Sequence, residues 1–130
     1  MRVIFAIAIL FASLLTGACD LARWVEVRGS AWHPQSTVLP GLEAVLRPAV
    51  LDASKNRGRT PKWTEYTFQY QGRTTLLGER YIYVNAFCGT SEVQITITWV
   101  TVMDGGACYF SVKYDPDANR VYDLVVNGVA

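Results

Sequence analysis

The chain has 130 residues, 51% of them hydrophobic and 18% charged, with 12 basic and 11 acidic side chains. That length holds one domain, and a formal net charge of +1 gives no general electrostatic reason to bind nucleic acid. One histidine and three well-separated cysteines leave no zinc-ligand spacing.

Arg2, an apolar run from Val3 to Leu15 and the small residues Thr16-Gly17-Ala18 have the layout of a bacterial export signal. The run is thirteen residues, short of the roughly 20 that a spanning helix needs, so residues 1–18 are expected to be a signal and not a span. Arg2 is the only charged residue among them, which leaves 11 basic and 11 acidic residues beyond it. Leu15-Thr16-Gly17-Ala18-Cys19 resembles the lipobox of bacterial lipoproteins, although the family's usual leucine stands one place closer to the cysteine than Leu15 does. The resemblance implies a lipid anchor on Cys19 at the periplasmic face of a membrane. The alternative is ordinary cleavage after Ala18 and release into the periplasm. A lipidated Cys19 would leave Cys88 and Cys108 to pair in an oxidising compartment.

Residues 19–38 are read as a tether and N-terminal segment. Within it Trp24, Val25 and Val27 fit a short strand or a packing contact before Gly29-Ser30 breaks the pattern. An α+β domain is expected over residues 39–130. Leu42, Val45, Leu46, Ala49, Val50 and Ala53 recur at helical spacing, so a helix is predicted over Leu39 to Asn56. Pro48 predicts a kink, or a true start near Arg47, because it lacks an N–H and crowds the preceding turn. The loop that follows carries Lys55, Arg57, Arg59 and Lys62. Such a cluster suits a solvated connection, and less commonly an anionic lipid surface.

Alternating aromatic and polar residues then predict strands over Trp63 to Gln71 and Arg80 to Phe87, with a turn at Gln71-Gly72 leading into Arg73 to Leu77 between them. Val93 to Met103 alternates in the same way and is predicted as a strand. Asp104-Gly105-Gly106 turns the chain into strands from Cys108 to Tyr114 and from Val121 to Asn127. One helix followed by a run of strands predicts an α+β fold, the helix packed on a twisted antiparallel sheet of about five strands. That element order resembles the cystatin-like wrap of a sheet around a helix, a likeness of order that does not fix function.

Cys88 and Cys108 are the candidate disulfide, and the predicted strands oppose it. A ten-residue strand between them would span about 33 Å, whereas a bridge needs Cα atoms within about 7 Å. Three ways out remain open: unpaired thiols, a partly looped segment over residues 89–96, or a non-sequential strand order.

Little in the sequence points to catalysis. His33 beside Pro34 suits a surface or packing role. Asp115-Pro116-Asp117-Ala118-Asn119 begins like a calcium loop but has Arg120 where glycine is needed and Val126 where glutamate is needed, so a hairpin turn is expected. Glu79, Asp104 and Asp123 are expected to be turn and edge residues. Eight aromatic residues on the predicted strands, Trp63 and Tyr81 among them, suit either a core cap or a recognition surface. Finally, Asn85-Ala86-Phe87-Cys88, Asp104-Gly105-Gly106-Ala107-Cys108-Tyr109-Phe110, Lys113-Tyr114-Asp115 and Asn127-Gly128-Val129-Ala130 resemble a family of small exported bacterial proteins with no assigned activity. That resemblance implies that the two cysteines belong to one structural unit, and it carries over no catalytic residue.

The expectation is therefore a non-enzymatic binding or structural domain in the cell envelope, with no cofactor, metal or nucleic acid. It would be held at the membrane by Cys19 and would meet a protein partner. An inhibitor of a hydrolase, or an enzyme using a pocket between helix and sheet, are the alternatives.

Overall fold

The computed structural model describes residues 19–129, so the predicted export signal at residues 1–18 lies outside the described residues. One helix, α1 (Leu39–Ala53), packs on a five-stranded sheet made of β1 (Trp24–Glu26), β2 (Tyr66–Thr74), β3 (Arg80–Cys88), β4 (Tyr109–Asp115) and β5 (Arg120–Val126). The strands lie in sequential order, antiparallel except for β1, which runs parallel to β2. The fold is α+β, as the element pattern predicts. The N-terminal segment is less of a tether than expected, because β1 belongs to the sheet.

Helical period and strand period meet in one core. Leu39, Leu42, Leu46 and Val50 of α1 form a single buried cluster with Phe68 of β2, Ile82 and Val84 of β3, and Phe110 and Val112 of β4. Burying side chains of this size stabilises by roughly 1.5–3 kcal/mol each. The helix runs through Pro48, which lies on the exposed side. Pro48 leaves the Ala44 carbonyl without its helical donor, but both residues are exposed, so water can take that place and the buried stripe is kept.

Residues Val93 to Met103 do not form a strand. The whole stretch from Gly89 to Gly105 is a loop laid across the outer face of β2 and β3. Side chains of the sheet satisfy its backbone in place of a neighbouring strand. Gln69, completely buried, donates from Nε2 to the carbonyls of Ile95 (2.9 Å) and Thr98 (2.7 Å), and its Oε1 accepts from the Val100 N–H at 2.9 Å. Asn85 donates to Gln69 Oε1 and to the Val100 carbonyl, and Asn127 donates to the carbonyls of Val102 and Asp104.

The loop removes the conflict over the cysteines. With no strand between them, β4 returns beside β3 with Phe87 opposite Tyr109. Cys88 and Cys108 therefore face each other one position further along, at disulfide geometry with Cα atoms 5.0 Å apart.

Gly72 marks a close backbone approach. Ala31 donates to its carbonyl at 2.8 Å, and a Cβ there would run into the Trp32 carbonyl oxygen and lie 3.1 Å from Pro34 Cδ. Gly72→Ala is expected to destabilise by about 3 kcal/mol or more, because backbone and not a flexible side chain blocks the methyl group. A urea melt with an unchanged midpoint would contradict this packing.

Candidate functional site

The turn between β2 and β3 presents the most unusual surface. Its sequence is Thr75-Leu76-Leu77-Gly78-Glu79. Thr75 closes the turn from both sides. Its N–H donates to the Glu79 carbonyl at 2.9 Å, its carbonyl accepts from Gly78 N–H at 2.9 Å, and its hydroxyl accepts from Glu79 N–H at 3.2 Å. Gly78 takes φ +82°, a left-handed conformation that glycine adopts without strain. The tip is thus a braced hairpin in which Leu76 is fully exposed and Leu77 is 90% exposed. Two adjacent leucines held in water by a closed turn forgo burial worth roughly 1.5–3 kcal/mol each.

The hairpin base is stiffened and charged. Trp32 Nε1 donates to the Arg73 carbonyl at 2.9 Å, and the Arg80 guanidinium lies over the Trp32 ring at 5.2 Å. Next to the tip is an open groove of about 690 Å³, walled by Glu79, Arg80, Tyr81, Asp115, Arg120 and Tyr122. The aromatic residues expected on strands divide between the two sides of the sheet. Trp63, Tyr66 and Tyr70 are buried, whereas Tyr81, Tyr83, Trp99, Tyr109 and Tyr122 are half-buried on the outer side. There Arg73 sits over Tyr83 at 4.1 Å and Trp99 at 5.3 Å, and Lys113 pairs with Asp123 at 3.2 Å while lying over Tyr81. Arginine over aromatic faces is favourable and orders both partners.

Cys19 occupies the opposite end of β2 from this hairpin. Arg23, four residues on, donates to the carbonyls of Trp63 and Tyr66 at the start of that strand. Nine residues of β2 at about 3.3 Å each then separate the two ends. The Cys19 side chain is partly buried against the core, beside a groove of about 660 Å³ between α1 and the segment Pro61 to Thr64. At its floor Trp63 Nε1 donates to Glu43 Oε1 at 2.6 Å, and Arg23 reaches the same oxygen at 3.7 Å. Burial first, and then hydrogen bonding to the Glu43 carboxylate, push the Cys19 thiol up to about 12.

That shift has a measurable consequence in chain whose Cys19 is unmodified. The folded state holds the thiol proton where the unfolded chain, near 9.0, releases it. The thiol's contribution to stability is therefore complete below pH 9 and is lost as pH rises towards 12. Since the thiolate is the reactive species and its nucleophilicity rises only partly with pKa, iodoacetamide at pH 8 should alkylate folded Cys19 at least about tenfold more slowly than urea-unfolded Cys19. Equal rates would contradict the buried setting.

The remaining sequence candidates are dispersed. His33 Nδ1 lies 3.0 Å from Glu26 on the surface. Asp115 Oδ1 accepts from the N–H groups of Asp117 and Ala118, and Asn119 accepts from the Tyr114 hydroxyl, so the Asp-Pro-Asp-Ala-Asn stretch is the β4–β5 turn. Asp123 is engaged by Lys113, Asp104 lies in the pinned loop, and Glu79 ends the leucine turn. Among the described residues, no group of three or more His, Cys, Asp or Glu side chains is placed to hold a metal ion, and no helix is long and apolar enough to cross a membrane.

The arrangement defines a small α+β domain with a disulfide-tied loop on one sheet face and a rigid apolar hairpin at one end. No family profile, curated protein or solved structure matches the chain, so the cystatin-like likeness rests on element order alone. The sequence pattern places a turn at Gln71-Gly72, whereas β2 runs on to Thr74 and the chain reverses over Thr75 to Glu79, which puts Leu76 and Leu77 at the tip. The available signal was a doubled leucine, which breaks period two, directly before Gly78.

Proposed function

We propose that this is an exported cell-envelope protein, attached through a lipid on Cys19 to the periplasmic face of a bacterial membrane, that acts by binding another protein and not by catalysis. The single observation that carries the binding role is the braced hairpin exposing Leu76 and Leu77. Exposed apolar groups of this kind mark interaction sites, and a preorganised tip binds without the cost of ordering a loop. The paired Cys88 and Cys108 are compatible with an oxidising compartment, which supports export.

A convex, rigid tip is complementary to a concave cleft. This favours, as the specific form of the binding role, insertion into the active-site cleft of a periplasmic or foreign hydrolase. Leu76→Ser with Leu77→Ser should leave the urea midpoint essentially unchanged, because both side chains are already in water. The same pair should abolish recovery of the partner from envelope extract. Recovery of the same partner by the double-serine chain would remove the hairpin from the account.

A further inference from the structure

We infer that the groove beside Cys19 is a docking surface for anionic phospholipid headgroups, which fixes how the domain stands on its membrane. The inference rests on the proposed anchor at Cys19 and deepens it. An anchor there has no slack. Asp20 already caps the first helical turn by accepting from Ala22 N–H, and Cys19 itself packs against the core. A lipid on Cys19 would therefore hold the groove-lining residues in the headgroup layer.

Their chemistry fits that layer. Asp20 and Glu43 share the one Arg23, at 3.5 and 3.7 Å, so that with Arg47 and Lys62 the lining carries three cations to two carboxylates. Arg47 and Lys62, on opposite walls, form no ion pair among the described residues. Arg47 lies over the Trp63 ring at 5.8 Å, which holds one cation at the groove. Lys55 and Arg59, beyond it, are paired with Asp52 and Glu65. Leu51, 46% exposed on the same helix, and Pro48 add apolar contact at the rim. Unpaired cations beside an apolar rim and a membrane anchor suit an anionic leaflet. The leucine hairpin, at the far end of β2, then points away from the bilayer.

The lysines supply a test, because Lys55, Lys62 and Lys113 are the only ones in the chain, and Lys113 lies on the outer sheet face. The protein purified from envelopes is incubated with vesicles of phosphatidylcholine alone or with added phosphatidylglycerol, then labelled with an amine-reactive ester and mapped by mass spectrometry. With phosphatidylglycerol, Lys62 labelling should fall about tenfold relative to phosphatidylcholine, Lys113 labelling should stay constant, and Arg47→Glu should restore Lys62. Equal Lys62 labelling on both vesicles, or protection of Lys113 instead, would overturn the docking surface. The mass of the N-terminal peptide reports the anchor separately. A lipidated Cys19 with unprotected Lys62 leaves the anchor and removes the docking surface, and an unlipidated Cys19 with protected Lys62 does the reverse.

Discussion

Gln69→Leu should destabilise the domain by about 3 kcal/mol or more and release residues 93–102 from the sheet. The amide is completely buried and bonds three backbone groups of the loop, at Ile95, Thr98 and Val100. Leucine fills the volume and satisfies none of them, and each buried polar group left without a partner costs roughly 1–3 kcal/mol. The loop has an escape route, since lifting it returns those groups to water. The loss should then appear as exposure of the outer face of β2 and β3, not as collapse of the core. Urea melts give the stability, and amide exchange locates it, with early exchange expected at Val100, whose N–H bonds directly to Gln69. Unchanged protection there would show that the loop holds itself in place.

Cys88→Ala with Cys108→Ala should cost about 3 kcal/mol, the chain-entropy value for a bridge closing a loop of this size, with a sequence separation of 20. For a domain near 100 residues that corresponds to a fall in Tm of roughly 10–20 °C. The bridge acts on the unfolded chain, whereas Gln69 acts on the folded loop, whose ends stay fixed by the pairing of β3 with β4, so the two losses should add to within about 0.5 kcal/mol. A triple variant losing much less than the sum would show that the bridge stabilises mainly through contacts of the folded loop.

Much of the architecture is legible in the chain because its inner faces obey strict periods. Tyr66, Phe68 and Tyr70 alternate inward, as do Ile82, Val84 and Ala86, and the stripe from Leu42 to Ala53 lies against them. Val93 to Met103 misleads because its alternation does not follow burial: Val93 and Ile97 are exposed and Ile95 and Trp99 only half-buried, so the apolar residues share no buried face of the kind a strand would give them. The number of strands comes out at about five all the same, since β1 replaces the strand that is not there. No local pattern reveals that Gln69 is buried, because its partners lie 16 to 31 residues away.

The candidate site was less legible than the fold. Cys19 is conspicuous for its place after the small residues, and nothing in its neighbours announces Glu43 or Trp63 beside it, since they arrive from α1 and from the approach to β2. The leucine pair is visible in the sequence, but its exposure is not. Exposure follows from the closure of the turn by Thr75 and Gly78, which points the two side chains beyond the end of the sheet.

The central claim is that the Leu76–Leu77 tip is the surface that meets a protein partner. Its most direct test places a photo-activatable side chain at position 77, and in parallel at Val125, an apolar residue 60% exposed elsewhere on the sheet, in protein expressed in its own envelope. One discrete protein adduct from position 77, absent from position 125 and lost when Leu76→Ser is added, is the predicted result. Equal or absent cross-linking at the two positions would contradict it.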